Sequence, residues 1–236
     1  MHEALTLARA LAHLPSMANA LRFATTVHQF RREPQAVQER TAALMALATE
    51  RGFAQQVALA TIARGWALAA QGQGAEGTVQ MRQWLTAHRA TGSEQSRPYN
   101  LALLAKAYGG IGQPAEGLAL LAEALTTVDR TGERGWEAEL YRLQGELLLA
   151  QVGDSQEMPT AATCFQEALA IARRQQAKSW ELRAAMSLAR LWQRQGTCGE
   201  ARELLAPIYG WFTEDFDTAD LQEAKALLEE LSGPWP

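Results

Sequence analysis

Cysteine, lysine and long hydrophobic runs are all scarce in this sequence of 236 residues, which has a formal net charge of −4. The two cysteines, Cys164 and Cys198, are too few for a disulfide framework or a cysteine metal site, so we expect free thiols. The three lysines and the acidic balance disfavour a nucleic-acid surface, which requires a basic stripe. No window approaches the ~18 apolar residues of a membrane span, and no signal-peptide core begins the sequence. We therefore expect a cytoplasmic protein without a membrane or nucleic-acid partner.

The residue groupings typical of enzymes are missing as well. The four histidines form no i, i+4 pair and no His-Glu-x-x-His motif, so the sequence offers no zinc ligand set. An acidic run lacks the spacing of an EF-hand and is interpreted as favourable charge at the start of the last helix; it consists of Glu214, Asp215, Asp217 and Asp220. Because no nucleophile, base and orienting residue can be grouped, we expect no catalysis, no metal and no cofactor.

Two glycine motifs match a dinucleotide-binding fingerprint by their letters alone. They are Gly72-x-Gly74-x-x-Gly77 and its relaxed form Gly110-x-Gly112-x-x-Ala115. The fingerprint needs a strand before it, so that a tight turn places a pyrophosphate on the following helix. Here the segment before each motif is rich in Ala and Leu at a helical period. Both motifs are therefore predicted to be turns between helices that bind no nucleotide.

An internal repeat is the strongest positive signal in the sequence. Four pairs of glycines lie 40 residues apart, whereas a shuffled chain of this composition would give about one such pair. The pairs are Gly52 and Gly92, Gly92 and Gly132, Gly72 and Gly112, and Gly77 and Gly117. Between these glycines, apolar residues recur at spacings of three and four, which predicts two amphipathic helices in each repeat.

Glycine and proline fall where paired helices would end and begin. The glycines predicted to end first helices are Gly72, Gly112 and Gly196, and the prolines predicted to begin second helices are Pro34, Pro114 and Pro159. Pro207 lies inside a predicted helix and should kink or shorten it, because it removes a backbone donor. The expected helices are 3–14, 17–30, 34–51, 54–71, 75–90, 97–111, 114–130, 135–151, 159–175, 178–195, 199–212 and 218–231.

Large, small and aromatic residues recur at fixed places in these helices. Leu104-Ala105 with Tyr108, and Leu188-Ala189 with Trp192, carry the pattern on first helices, and Ala161, Phe165, Ala168 and Leu169 carry it on a second helix. In this pattern the chain resembles tetratricopeptide repeats (TPRs). The resemblance implies an all-α, right-handed α-solenoid of about five helix pairs with terminal helices, over residues 1–232 with a tail at 233–236. The period near 40 is also typical of HEAT-like repeats, which stay open as an alternative.

A narrower resemblance extends over nearly the whole chain. It rests on stretches such as His28-Gln-Phe-Arg-Arg-Glu-Pro34, Arg64-Gly-Trp-Ala-Leu68, Glu133-Arg-Gly-Trp-Glu-Ala-Glu-Leu-Tyr141 and Phe165-Gln-Glu-Ala-Leu-Ala-Ile-Ala172. These are similar to the C-terminal helical repeats of large bacterial predicted-ATPase and adenylate-cyclase-like signalling proteins. In that family an NTPase module precedes the repeats. The resemblance implies a cut array, in which helix 3–14 is the second helix of a truncated pair.

Binding is predicted on the first helices, which line a concave face in stacked helix pairs. The residues that the resemblance places in this groove are Asn19, Arg22, Trp66, Tyr99, Lys106, Glu139, Arg142, Glu146, Arg183, Arg190 and Arg194. Six of them are cations and two are anions, a local charge of +4 that favours an acidic peptide or carboxylate partner. Alternatively, the arginines pair with glutamates of neighbouring helices.

The predicted function is a non-catalytic protein–protein interaction or regulatory module that binds a peptide or a partner domain in this groove. The alternative is a small-molecule or peptide sensor that controls an attached NTPase, cyclase or transcription regulator. Self-association through the ends of the array is also expected, because Leu7, Leu11 and Leu14 offer an uncovered apolar stripe.

Overall fold

Twelve α-helices, and no strand, make up the part of the chain that the structure describes. The structure is a computed structural model, and it describes residues 2–91, 94, 96–152 and 158–232. The helices are α1 (His2–Ala10), α2 (Leu14–Phe30), α3 (Pro34–Arg51), α4 (Ala54–Ala70), α5 (Gly74–Thr91), α6 (Arg97–Gly110), α7 (Pro114–Thr131), α8 (Glu137–Val152), α9 (Met158–Arg174), α10 (Lys178–Arg194), α11 (Cys198–Tyr209) and α12 (Ala219–Ser232). A 3-10 turn at Arg134–Trp136 precedes α8. The all-α class and every expected helix are confirmed.

Three helix boundaries differ from expectation by three residues or more, and all three lie near prolines. The first helix ends at Ala10 instead of residue 14, and α2 begins at Leu14 instead of residue 17. Pro15 lies in the first turn of α2, and Ala12, between the two helices, adopts a left-handed φ of +47°. Helix α11 ends at Tyr209, two residues after Pro207, instead of at residue 212. The shortening that Pro207 predicted is therefore confirmed.

The helices divide by their contacts into two compact units, residues 1–95 with α1–α5 and residues 96–236 with α6–α12. The first unit contains the pairs α2/α3 and α4/α5, and the second contains α6/α7, α8/α9 and α10/α11. Five pairs with α1 and α12 at the ends are the number that the sequence predicted. A single repeat domain over residues 1–232 stays a prediction.

Left-handed glycines end five of the helices, as the 40-residue spacing predicted. Their φ values are +70° at Gly52, +87° at Gly72, +74° at Gly112, +73° at Gly132 and +84° at Gly196. Only glycine adopts this conformation without a steric penalty. Gly92 lies outside the described residues. The turn at Gly72 follows α4, so the strand that a dinucleotide fingerprint requires is replaced by a helix.

Glycine also sets how closely the helices of a pair approach. A Cβ atom added to Gly77 in α5 would lie 2.4 Å from the carbonyl oxygen of Gly65 and 2.8 Å from the backbone nitrogen of Ala69 in α4. In the next pair, a Cβ on Gly117 would lie 2.8 Å from the carbonyl oxygen of Ala105. These are backbone contacts that cannot yield easily, so glycine in place of the usual small residue permits a tighter crossing.

Each unit has its own apolar core. In the first, Leu21 of α2, Leu44 of α3 and Ala60 of α4 belong to one buried cluster. In the second, a larger cluster joins α9 to α12 around α10, whose Leu182 is almost fully buried. Both cysteines are free; Cys164 is buried and Cys198 is partly buried. None of the described helices combines the length and the apolar character that a bilayer-spanning segment needs.

Candidate functional site

The first helices of the second unit lie side by side in the order α6, α8, α10, α12. Each contributes polar side chains to a shared surface, which we call the first-helix face. It consists of Tyr99, Lys106, Glu139, Arg142, Glu146, Arg183, Ser187, Arg190, Arg194, Asp220 and Glu223. The structure thereby groups eight of the eleven residues that the sequence predicted for the groove.

Arg142 lies at the centre of this face and is only 7% exposed. Its Nε and Nη2 atoms donate to the two carboxylate oxygens of Glu139, at 2.7 and 2.8 Å, a bidentate pair. Its Nη1 atom donates to Glu146 one turn further along α8, and to Oγ of Ser187 on α10 at 3.3 Å. The Ser187 hydroxyl donates in turn to Glu146, at 3.2 Å. One buried cation therefore joins two neighbouring first helices.

The charges of this cluster stabilise one another strongly. Burial alone would raise the pKa of Glu139, but the charge and hydrogen bonds of Arg142, aided by Arg183 and Lys106, lower it to about 2. Burial likewise opposes the charged form of Arg142, but Glu139 and Glu146 outweigh it and raise the pKa of the guanidinium above its ordinary value. Glu139 and Arg142 are consequently both ionised over the whole physiological range.

Arg183 and Arg190 extend this network from α10 to α12. The Nε atom of Arg183 donates to Asp220 at 2.7 Å, and its Nη1 atom lies 3.9 Å from Glu139 on the other side. Arg190 donates to Glu223 at 3.3 Å, in a pair whose two side chains are 43% and 37% exposed. Charges of alternating sign therefore cross four helices. For these arginines the structure supports the second interpretation, pairing with carboxylates of neighbouring helices.

Asp220 and Glu223 are the charged residues of the first-helix face that the sequence analysis did not place there. They follow their arginine partners by 37 and 33 residues, so only the lateral order of the helices brings them together. The sequence did contain a signal for these pairs, because a carboxylate on the neighbouring first helix lies about one repeat after its arginine in the chain. Including them, the charged residues of the first-helix face number five cations and four anions, a sum of +1. The large positive charge that favoured an acidic partner is thus mostly neutralised locally.

An aromatic row borders the first-helix face. The rings of Tyr99 and Trp136 stack with centroids 4.3 Å apart, and Trp136 meets Trp180 edge-on at 5.8 Å. The Arg183 guanidinium lies 4.9 Å from the Trp180 ring centroid. Burial raises the pKa of Tyr99, while nearby Arg183 lowers it and Glu139 raises it. Trp136 and Trp180 were also missed, although their separation of 44 residues repeats that of Glu139 and Arg183.

Five predicted groove residues take no part in the arginine–carboxylate contacts or the aromatic row given above; two lie on the first-helix face and three lie in the first unit. Lys106 and Arg194 are exposed on α6 and α10 of the second unit. Asn19, Arg22 and Trp66 belong to the first unit, where Asn19 accepts a hydrogen bond from Nε2 of Gln56 at 3.2 Å.

Arg22 and Trp66 have packing contacts in that unit. The Arg22 guanidinium lies 4.0 Å from the centroid of the Phe23 ring, and burial lowers its pKa. Trp66 packs against the buried cluster of Val37, Ala63 and Ala67. Across residues 2–91, 94, 96–152 and 158–232, no three histidine, cysteine or acidic side chains are grouped so as to hold a metal ion.

Solved structures of helical-repeat proteins are similar to this chain, whereas no protein-family model and no curated protein matches it. BtubC (BKLC) from P. vanneervenii aligns with a TM-score of 0.63 at 14% identity, over 100% of this chain and 91% of that one. The nearly identical TPR-like repeats of a Podosopora anserina kinesin light chain candidate align with a TM-score of 0.56 at 19% identity, over 93% and 99%. Their Q17M variant gives 0.57 at 20% identity, over 83% and 94%. At these identities the likeness establishes the fold, which is TPR-like.

Proposed function

We propose that the chain is a non-catalytic interaction module, and that the first-helix face of its second unit binds a peptide segment of a partner protein. The observation that carries the proposal is the way the charges on this face are held. Arg142, Arg183 and Ser187 fix the neighbouring carboxylates through hydrogen bonds within and between helices. A surface whose side chains are already ordered loses little conformational entropy when it binds.

Several charged groups of this face remain accessible although they are fixed. The side chains of Glu146, Arg190 and Glu223 are 39%, 43% and 37% exposed. Lys106 and Arg194 are exposed as well. An extended peptide running across the four helices would meet both donors and acceptors, and electrostatic complementarity would set its register. We retain an acidic segment as the partner, because its carboxylates would contact the accessible cations of α6 and α10.

Panning a displayed random-peptide library on the purified chain tests this proposal. Recovered peptides would be measured by fluorescence anisotropy against the wild type and an Arg190→Glu, Arg194→Glu variant. We expect the variant to bind about tenfold more weakly or worse, since each reversed charge removes an attraction and adds a repulsion. Arg174→Glu with Arg202→Glu, at exposed positions on the second helices α9 and α11, is the charge-matched control and should change nothing.

Other outcomes would contradict the proposal. Peptides that bind the Arg190→Glu, Arg194→Glu variant as tightly as the wild type would place the site elsewhere. A thermal shift with a metabolite library, in the absence of peptide binding, would favour the alternative of a small-molecule sensor.

We also propose that the module works within a larger bacterial signalling protein that is located in the cytoplasm. The stretches that resemble the helical repeats of predicted-ATPase and adenylate-cyclase-like proteins support this proposal. The coding sequence upstream is the direct test, because an NTPase frame there would support it and an unrelated gene would contradict it.

A further inference from the structure

The loop between α11 and α12, residues 210–218, carries two exposed aromatic side chains. Trp211 is 58% exposed and Phe216 is 46% exposed. Among the other described residues of this unit, large apolar side chains are mostly covered; Phe165, for example, is 1% exposed. Exposing two aromatic rings on one short loop costs hydrophobic free energy, so it calls for an explanation.

Local bonds hold this loop in place. The backbone nitrogen of Phe212 donates to the carbonyl of Tyr209 at 3.1 Å, and the backbone nitrogen and hydroxyl of Thr218 both donate to the carbonyl of Asp215 at 2.9 Å. The Phe216 ring meets Tyr209 edge-on with centroids 5.9 Å apart, and Trp211 meets Phe212 in the same way at 5.2 Å. The rings are therefore presented by an ordered scaffold, which lowers the entropic cost of binding.

Negative charge predominates in the sequence around the two rings. No lysine or arginine occurs between Arg202 and Lys225, whereas this interval contains six carboxylates. Asp220 and Glu223 face α10 and pair with its arginines, as described above. The carboxylates within the loop itself are exposed; they are Glu214, Asp215 and Asp217.

The chain itself places a cation on one of these rings. The Nζ atom of Lys178, at the start of α10, lies 5.7 Å from the centroid of the Trp211 ring. An ammonium at this distance is attracted by the electrons of the indole face. The ring is thus able to receive a cation in this environment, and more than half of its side chain remains open to solvent.

We propose that loop 210–218 docks a lysine- or arginine-bearing segment of a partner protein. Basic side chains stack on Trp211 and Phe216, and the carboxylates of the loop pair with their charges. The loop would prefer a basic segment, whereas the first-helix face would prefer an acidic one. The proposal for the loop stands whether or not the first-helix face is a binding site. A membrane surface is the less favourable occupant, because the same carboxylates repel anionic headgroups.

The probe is a fluorescein-labelled peptide of twelve residues in which Arg and Gly alternate, with a Glu-Gly peptide as its counterpart. Anisotropy titrations at low and at physiological salt should show binding of the Arg peptide alone. We expect Trp211→Ala to weaken it about five- to tenfold, and Trp211→Phe to keep most of the affinity because an aromatic face remains. Glu214→Lys with Asp217→Lys should weaken it at least as much.

Two matched controls separate this loop from general attraction to an acidic protein. Phe23→Ala removes an equally exposed aromatic ring from the first unit, and Glu200→Lys with Glu203→Lys reverses two exposed carboxylates on α11. Both should bind the Arg peptide within about twofold of the wild type, since neither touches the loop. Circular dichroism of every variant confirms that the helices are intact.

Four results would overturn the proposal. They are no binding of the Arg peptide by the wild type, equal binding of the Glu peptide, unchanged affinity in Trp211→Ala, and an effect of the control substitutions as large as that of the loop variants. Phosphatidylcholine vesicles provide the last comparison. Vesicle binding that is lost in Trp211→Ala would assign the loop to a membrane instead of a protein segment.

Discussion

The two units share the helix-pair plan but join their first helices by different chemistry. In the first unit, a hydrogen bond between the neutral amides of Gln56 and Asn19 connects α4 to α2. In the second unit, buried Arg142 and its carboxylates connect α8 to α10. A buried ion pair adds little net stability compared with apolar packing, yet removing one partner is costly. The ionic arrangement is therefore better explained by the ordered surface it creates than by the stability it adds.

Among the substitutions that test this difference between the units, Arg142→Met should have the largest effect. This substitution removes the guanidinium and leaves Glu139 buried without its main partner, so we expect the free energy of unfolding to fall by about 3 to 5 kcal/mol. Arg190→Met, in a half-exposed pair of the same unit, should cost at most about 1 kcal/mol. Urea denaturation of both variants measures the difference. If both substitutions lowered the unfolding free energy by an equally small amount, losing the buried guanidinium would cost no more stability than losing one of a surface pair.

This difference also decides which arginines can test binding. Arg142 and Arg183 are largely buried and paired, so replacing them would disturb folding and binding together. Arg190 and Arg194 lie nearer to solvent and are suitable for charge reversal. A triple substitution of Arg142, Arg183 and Arg190 would therefore not separate the effect on folding from the effect on binding.

Acid should act on the second unit through Glu139. Its pKa is lowered to about 2 in the folded chain, from an ordinary value of 4.5. A carboxylate with a depressed pKa stabilises the fold above its unfolded pKa, and this stabilisation is lost as the pH falls through the folded value. Between about pH 5 and pH 2 we therefore expect the unfolding free energy to decrease by roughly 3 kcal/mol through this group.

Urea titrations at several pH values test this, with Glu139→Gln as the control. The variant is less stable at neutral pH, but its stability should change less between pH 5 and pH 2. Hydrogen exchange, followed separately in α4 and α8, would show whether the acid effect is confined to the second unit. Parallel curves for wild type and variant would contradict the assignment.

The fold was predictable because its determinants are local. Gly52, Gly72 and Pro34 specify where helices end or begin through their own backbone preferences, whatever their neighbours are. The site was predictable only in part. The sequence placed Arg142 and Arg183 on first helices correctly, but their pairing depends on the lateral order and rotation of helices that lie far apart in the chain. Asp220 illustrates this, because locally it is only a favourable charge at a helix start.

The ends of the two units also differ. Leu7 on α1 and Leu11 in the turn that follows it are 60% and 65% exposed, whereas Leu14 begins α2 and is partly buried, so the three leucines do not form a stripe on one helix as expected. The last helix, α12, directs polar side chains such as Gln222, Lys225 and Glu229 to solvent. The exposed leucines give the first unit a means of association that the polar surface of α12 lacks.

The weakest effect we expect is self-association of the 236-residue chain through α1. Burying two leucines contributes about 1.5 to 3 kcal/mol each at most, and association itself costs several kcal/mol, so the dimer should form only at high concentration. Sedimentation velocity over a concentration series measures this equilibrium. Leu7→Glu with Leu11→Glu should abolish it, whereas Val79→Glu, which alters a 57% exposed valine on α5, should not. A wild type that stays monomeric throughout the series, or one in which Val79→Glu acts as strongly, would show that the exposed leucines do not distinguish the first unit in this way.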